Sequence, residues 1–438
     1  MNHVVVTGMY AISPAGLGLD SLWRVVRDGK PCGGPITKFN CSRNAAWIAA
    51  EAKDFDAGIW GIDANEAKGL DRATQFAITA AQSARQHAGL DASQVDPFRA
   101  GVCIGTAIGG VDSMEQAFNQ LCCKHTEERK KPKTVDVIPD KADPRLWNAY
   151  CAHSVSHEVA SRNGFYGFCT TMSTGCTAGV DAIGLSAELI ADDVVDVMVT
   201  GGTDAPITPI VVSSFDNIRC LTRRNDEPTR ASRPFDRDRD GFLLAEGCGI
   251  LVLESEKHAR KRGAEILGYV LGFASLCNAY HMTGLPADGI ALGHTLKNAL
   301  NIARLNPEEV DYINAHGSST PQNDRNETAA LKMAFGGHAR RVPISSTKSV
   351  LGHPLGAASA LESIISLLAI NAGVAPPTAN YENPDPDCDL DYVPNQPREM
   401  KIRVVECNAS GFSGIHSSVL FGDRDSGSRM ATRTGDFQ

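Results

Sequence analysis

Cys176 stands in a run of small residues, Ser-Thr-Gly-Cys-Thr-Ala-Gly over positions 173–179, directly before a segment with helical periodicity. A cysteine at a helix start lies near the positive end of the helix dipole, which favours the thiolate, and small neighbours leave its sulfur accessible. The pattern therefore predicts a nucleophilic thiol. The alternative is a structural cysteine, because the chain has 13 cysteines and most should be reduced thiols packed as small apolar groups.

Two histidines and a lysine follow apolar segments that are typical of strands. His316 comes after residues 310–313, and Lys348 and His353 come after residues 342–344. Catalytic groups of α/β proteins collect at the carboxyl ends of strands. One histidine in such a turn is more often a hydrogen-bonded structural residue. Two of them, with a candidate nucleophile elsewhere, favour a catalytic set.

Short apolar runs alternate with amphipathic segments, which indicates an α/β protein. The expected strands are residues 3–7, 101–105, 194–202, 249–254, 267–273, 310–315, 342–346 and 404–407. The expected helices are residues 72–88, 179–190, 293–303, 324–334 and 356–371, the last apolar enough to be buried. Residues 121–149 lack periodicity and are predicted to form a loop, and the polar segment 422–438 is predicted to be a flexible tail.

A weak internal repeat connects the two halves of the chain. A predicted helix is followed by Leu-Asp-Ala-Ser-Gln-Val-Asp at residues 90–96, and another by Leu-Asn-Pro-Glu-Glu-Val-Asp at residues 305–311. In both places a strand and a glycine-containing turn come next. The repeat favours two related halves stacked into one body, although a resemblance this short can also arise by chance.

Composition excludes several classes of function. A net charge of −9 and a pI near 5.8 argue against a nucleic-acid partner, which needs a basic surface. No apolar run reaches the roughly 20 residues of a membrane span, and no signal peptide is evident, so we expect a cytoplasmic protein without a membrane partner. The chain lacks a phosphate-binding loop and the usual spacings of metal ligands, so we expect neither a nucleotide cofactor nor a metal.

These motifs resemble the ketoacyl synthase group of the thiolase superfamily. The matching segments are Ser-Thr-Gly-Cys at 173–176, Asn-Ala-His-Gly at 314–317 and Gly-His at 352–353, in the family's order. The resemblance covers nearly the whole chain. It implies an α/β, thiolase-like fold, with two related halves packed as an αβαβα layered sandwich. The expected divisions are an N-terminal half (1–255), a C-terminal half (256–422) and a tail (423–438).

The resemblance also implies an activity, that of a β-ketoacyl synthase. Cys176 would accept an acyl chain from the phosphopantetheine arm of an acyl carrier protein, with no other cofactor. His316 and His353 would stabilise the enolate formed when malonyl loses carbon dioxide. Lys348 and Glu327 would be ion-paired supports of the histidines, and the hydroxyls of Ser318 and Thr320 would face the malonyl group. Gly411 and Phe412 belong to the C-terminal loop, where the backbone N–H of Phe412, together with that of Cys176, would bind the acyl oxygen.

Within the group, the chain looks most like the catalytic subunit of bacterial type II polyketide synthases, which pairs with a cysteine-free chain-length partner. A fatty-acid elongating synthase, a homodimer and a non-catalytic scaffold are the alternatives. A biosynthetic thiolase fits less well, because Cys407 precedes the C-terminal loop where a second catalytic cysteine is needed. Ser410 replaces an aromatic residue that is usual in the elongating synthases, so acyl selection should differ. Chain length, the reduction state of the product and the identity of the partner are not encoded in any motif.

Overall fold

The computed structural model describes residues 2–122 and 146–427. The strands are β1 (Val4–Ser13), β2 (Gly16–Leu17), β3 (Gly34–Pro35), β4 (Ile48–Ala49), β5 (Ala100–Gly105), β6 (Cys169–Met172), β7 (Val197–Asp204), β8 (Gly247–Ser255), β9 (Gly268–Cys277), β10 (Tyr312–Asn314), β11 (Ile344–Ser345), β12 (Val374–Ala375), β13 (Arg398–Glu399), β14 (Val404–Ser410) and β15 (Ile415–Gly422). The α-helices are α1 (Leu19–Arg27), α2 (Ala64–Ala67), α3 (Arg72–His87), α4 (Val111–Cys122), α5 (Leu146–Tyr150), α6 (Ser154–Asn163), α7 (Ala178–Ala191), α8 (Pro209–Asn217), α9 (Glu256–Lys261), α10 (Ile290–Ala303), α11 (Pro321–Phe335), α12 (Lys348–Leu351) and α13 (Ala358–Ala372).

One long sheet contains two copies of the same five-stranded pattern. Its order is β11-β10-β14-β15-β9-β1-β8-β7-β5-β6, with β1 and β9 antiparallel in the middle. In the first half the strands run β6-β5-β7-β8-β1, and in the second half β11-β10-β14-β15-β9. The directions also agree, since each half has two parallel pairs followed by two antiparallel pairs.

The sequence repeat falls at equivalent places in the two halves. Its first copy forms a short 3₁₀ turn (Ala92–Gln94) before β5, and its second copy forms another (Pro307–Glu309) before β10. Both β5 and β10 occupy the second position from the edge of their half. The prediction of two related halves is confirmed.

Two buried helices, α7 and α13, form the central layer. They contact each other, and they also contact strands of both halves. On the outer faces, α3 and α6 cover the first half, and α10 covers the second half with α11 packed against it. The result is the αβαβα sandwich that the resemblance implies.

The expectation that no apolar run could cross a membrane needs one amendment. Within the described residues, Leu355–Ala372 is long and apolar enough to do so by composition, but most of it is buried inside the protein. Because α13 packs between the two halves of the sheet, most of its apolar surface is covered by protein. The prediction that this segment is a buried helix is confirmed.

The segment predicted as a loop, 121–149, is only partly so. Its first two residues end α4 and its last four belong to α5. Residues 123–145 lie outside the described part of the chain, as does most of the predicted tail, residues 428–438.

Candidate active site

Cys176 lies in a 3₁₀ turn, Gly175–Thr177, that leads directly into α7. Gly175 has a φ of 70°, a left-handed conformation that a glycine adopts without strain. The Cys176 carbonyl accepts a hydrogen bond of 3.2 Å from the Ser359 hydroxyl, which ties the turn to α13. The backbone N–H groups of Phe412 and of Cys176 itself lie near enough to the thiol to lower its pKa, against the larger effect of burial.

The prediction that its position favours a thiolate is wrong for the unliganded site. Burial raises the pKa of the Cys176 thiol to about 12, and the nearby Lys348 cation only partly opposes this. The loss of water around the sulfur therefore outweighs the positive end of the helix. The thiol is the resting form, so its proton must leave during attack.

His316 and His353 face each other across the site. Their ring centroids are 5.3 Å apart and the ring planes are inclined at 81°. Burial, reinforced by the Lys348 cation, lowers the pKa of both imidazoles well below the usual value. Both rings are therefore neutral at physiological pH, and each has one N–H to donate. The Nδ1 atoms of both rings lack a hydrogen-bond partner within the described residues.

Lys348, at the first position of α12, supports His316 from behind. Its Nζ donates to the His316 carbonyl at 2.7 Å and to Glu362 Oε1 at 2.5 Å. Both members of this ion pair are buried. Burial raises the pKa of Glu362 to about 7, and the adjacent lysine opposes the shift. Removing one partner alone would leave a buried charge uncompensated, at a cost of about 3–5 kcal/mol.

Glu327 supports the same histidine in a different way from the one expected. Its two carboxylate oxygens accept the backbone N–H groups of His316 and Gly317, both at 2.8 Å. The ion-pair partner of Lys348 is Glu362, not Glu327. The expectation of ion pairing is corrected accordingly: Glu327 orients the backbone of the turn that carries His316. Glu362 was missed, although a single acidic residue in an otherwise apolar helix was a usable signal.

These groups open into one cavity of about 340 Å³ that is lined from both halves of the sheet. The lining includes Cys176, Phe215, Arg219, Phe242, His316, Ser318, Thr320, His353, Ser410, Gly411 and Phe412. Ser318 and Thr320 share a hydrogen bond of 2.9 Å between their hydroxyls. The cavity thus brings together all the predicted site residues except Lys348 and Glu327, which lie behind it.

The turn between β14 and β15 closes over the nucleophile. A side chain at Gly411 would place its Cβ only 3.2 Å from the Thr174 carbonyl oxygen and 3.3 Å from the Cys176 nitrogen, so this position has little room. The ring of Phe412 lies beside Phe215, with centroids 6.1 Å apart. Close packing of the turn keeps the Phe412 backbone near Cys176.

Asp204 is a second supporting carboxylate that the sequence did not suggest. At the end of β7, it accepts the Thr106 hydroxyl at 2.7 Å and the backbone N–H of Gly356 at 2.7 Å. Burial raises its pKa to about 7. It ties β5 and β7 to the turn that follows His353. No local motif marks it, because its partners are distant in sequence.

A cavity shared by two matching halves of one sheet places the protein in the thiolase-like class of condensing enzymes. Its residues 1–259 match the family model described as "Beta-ketoacyl synthase, N-terminal domain", and residues 267–382 match the one described as "Beta-ketoacyl synthase, C-terminal domain". The chain belongs to the β-ketoacyl synthase family.

Curated relatives are similar over almost their whole length. The tetracenomycin polyketide synthase ketoacyl synthase alpha subunit of Streptomyces glaucescens is 44% identical over 418 residues, which cover 95% of this chain and 96% of the relative. The 3-oxoacyl-[acyl-carrier-protein] synthase 2 of a Synechocystis strain is 41% identical over 419 residues, covering 96% and 97%.

Solved structures of ketosynthases are also similar to this chain, in fold as well as in sequence. One is a ketosynthase of a type II polyketide synthase in complex with its acyl-carrier protein and bound to the hexaketide, with a TM-score of 0.89 and 38% identity over 96% of this chain and 99% of that one. Another is the ishigamide ketosynthase/chain length factor, with a TM-score of 0.88 and 34% identity over 96% and 99%.

Proposed function

We propose that the protein extends an acyl chain by decarboxylative condensation with malonyl, both carried on the phosphopantetheine of acyl carrier protein. The observation that carries this proposal is the convergence of a cysteine sulfur, two neutral histidines and two backbone N–H groups in one cavity. A non-catalytic scaffold would not need this arrangement. No other cofactor is part of the proposal.

In the first half-reaction, the Cys176 sulfur attacks the thioester carbonyl of the acyl carrier. The thiol proton ends on the departing phosphopantetheine sulfur, and a new thioester forms on Cys176. The N–H groups of Cys176 and Phe412 lie near the sulfur, so they are available to the carbonyl oxygen of an acyl group bound to it, on which the oxyanion would develop. This geometry supports their role as the oxyanion hole.

In the second half-reaction, malonyl loses carbon dioxide and the electron pair moves onto the thioester oxygen. His316 and His353 donate N–H groups to that oxygen, and Ser318 and Thr320 are proposed to face the malonyl group. The enolate carbon then attacks the acyl carbonyl on Cys176. The sulfur leaves as a thiolate and takes a proton from solvent, and the carrier keeps the 3-oxoacyl product.

Reconstitution tests the proposal. The purified protein, with a homologous partner where needed, is mixed with an acyl-loaded carrier and malonyl carrier, and the products are measured by mass spectrometry. A 3-oxoacyl carrier two carbons longer, with release of one carbon dioxide per turnover, is the expected result. Acyl transfer to the protein with no decarboxylation at all would contradict it.

The pathway is proposed to be type II polyketide synthesis, with fatty-acid elongation as the second candidate. Several Streptomyces relatives are named as polyketide β-ketoacyl synthases, and a Synechocystis relative is named as a 3-oxoacyl-[acyl-carrier-protein] synthase. The exposed Arg219, at the cavity lining, has no ion pair within the described residues and suits the phosphate of the carrier arm. A cytoplasmic location and the division at residues 1–255, 256–422 and 423–438 stay predictions.

We also propose a homologous partner that continues the sheet beyond β6, the last strand on its side among the described residues. The carbonyl groups of Phe168 and Met172 accept hydrogen bonds from β5, so the backbone groups of Cys169 and Thr171 point away from it. Such an edge is a template for pairing with another chain. A relative solved as a ketosynthase/chain length factor supports a heterodimer.

Substituting Cys169 tests the location of the contact. In Cys169→Pro, the outward N–H is lost while the bonds to β5 remain, so we expect the partner to dissociate at least about tenfold more readily. Co-expression followed by size-exclusion chromatography measures this. The matched control is Cys169→Ala, which keeps the N–H and should keep the dimer. Equal dimerisation of the two variants would place the interface elsewhere.

A further inference from the structure

Ser410 and His416 form a buried pair at the base of the turn that covers Cys176. They are opposite each other in the β14 and β15 register. The Ser410 hydroxyl and His416 Nδ1 are 2.8 Å apart, and Ser410 also lines the cavity. Burial lowers the pKa of His416 to about 4, so the ring is neutral and has a single N–H.

Asn278 determines which ring nitrogen holds that proton. Its Oδ1 accepts the backbone N–H of Tyr280 at 3.0 Å, so its Nδ2 is the atom that faces His416 Nε2, at 3.4 Å. An amide NH₂ can only donate, and Nε2 must therefore accept. The proton is then on Nδ1, which donates to the oxygen of Ser410.

Because its oxygen accepts from the histidine, the Ser410 hydroxyl has its own proton left to donate. Within the described part of the chain, the hydroxyl's hydrogen-bond partner is His416, which donates to it, and no acceptor is bonded to the hydroxyl proton. The side chain is 5% exposed, so water has little access to it. A buried donor without an acceptor is costly, and a ligand that supplies an oxygen there is favoured.

We propose that Ser410 is a specificity-determining residue that donates a hydrogen bond to a keto oxygen of the acyl chain on Cys176. The inference rests on the proposed function and names the substrate class as acyl chains that bear oxygen near the thioester. A saturated chain has no acceptor for this hydroxyl. His416 and Asn278 are positioning residues, because they act only by orienting the serine.

The test compares two thioester probes of equal length, octanoyl-pantetheine and 3-oxooctanoyl-pantetheine. The rate at which each acylates Cys176 is measured by mass spectrometry, and the ratio of kcat/KM values reports discrimination. We expect the native protein to prefer the 3-oxo probe. In Ser410→Ala, we expect this preference to fall about three- to tenfold, through slower reaction of the 3-oxo probe alone, as is typical for loss of one hydrogen bond.

Two further variants separate positioning from general damage. His416→Leu removes the group that orients the hydroxyl and should lower the preference by a similar factor. Ser418→Ala is the control. It removes a hydroxyl from β15, the strand that also contains His416. That hydroxyl donates to Glu406 at 2.7 Å outside the cavity lining, so the preference should be unchanged. If the preference for the 3-oxo probe falls in all three variants, general damage to the paired strands β14 and β15 changes the ratio, and the Ser410 hydroxyl is not its specific cause.

The outcomes distinguish the inference from the function on which it rests. If neither probe acylates the native protein, the proposed function fails. If both probes react and Ser410→Ala leaves their ratio unchanged, only the inference is overturned. If Ser410→Ala instead raises the KM for malonyl carrier at an unchanged ratio, the hydroxyl serves the malonyl group, and the proposal is also wrong.

Discussion

Replacing Cys176 by alanine is expected to lower condensation by at least about 10³-fold, because the variant has no atom to hold the acyl chain. The fold should persist, since the side chain is small and only half-buried. Malonyl decarboxylation should continue, because His316, His353 and Lys348 remain in place. The enolate then has no acyl chain on residue 176 to attack. The measurements are acyl attachment by mass spectrometry, carbon dioxide release and thermal unfolding.

The cavity itself offers a matched control. Cys220 also lines it, and burial raises the pKa of its thiol as well, but its sulfur bonds the Ile218 carbonyl at 3.7 Å. Cys220→Ala should therefore keep the acyl label on Cys176 and most of the condensation rate. Near-normal condensation by Cys176→Ala, or label found on Cys220, would show that the nucleophile has been misassigned.

Much of the site was predictable because it depends on local sequence. A glycine-flanked cysteine before a helix and histidines just after apolar strands are typical of catalytic positions. Ligands of α/β proteins bind at the carboxyl ends of strands, where such side chains are accessible. The resemblance then assigned roles to Phe412, Ser318 and Thr320, and the cavity contains all three. The internal repeat indicated two related halves for a similar reason, because each half repeats one local order of helix, turn and strand.

The parts that could not be predicted depend on contacts between distant residues. Glu362 is bonded to Lys348 only because α13 lies between the two halves of the sheet. The raised pKa of Cys176 reflects burial of the sulfur by the surrounding fold, which helix position alone does not reveal. The tautomer of His416 requires Asn278, a residue more than a hundred positions away.

Besides several two-residue strands, two strands in the ten-strand order of the long sheet were missed, for physical reasons that differ. Strand β6 has the sequence Cys-Thr-Thr-Met and is partly exposed at the sheet edge, so it has neither a continuous apolar run nor a clear alternation. Strand β15 is buried along nearly all its length, but its first half is polar because Ser417 and Ser418 bond the buried Asp181 and Glu406. Buried hydrogen-bonding networks thus hide a strand from a search for apolar patterns.

The second large effect is expected from the histidines. His316→Ala and His353→Ala should each lower malonyl decarboxylation about 10²–10³-fold, because each removes one N–H donor from the enolate oxygen. Acylation of Cys176 should continue in both variants, since the sulfur and the Phe412 N–H are unchanged. Carbon dioxide release and acyl labelling, measured separately, report the two half-reactions. His338→Ala is the control, because that ring bonds the Val310 carbonyl outside the cavity lining.

The pH dependence gives the same assignment a second test. A histidine with a lowered pKa stays neutral as pH falls through 6.5, so protonation of His316 or His353 should not lower decarboxylation there. If the histidines instead acted as cations, the rate would rise as pH falls through the range in which they protonate. Variants that fail to accept an acyl group yet decarboxylate malonyl normally would reverse the assignment, because His316 and His353 would then serve the transfer of the acyl chain to Cys176 and not the formation of the enolate.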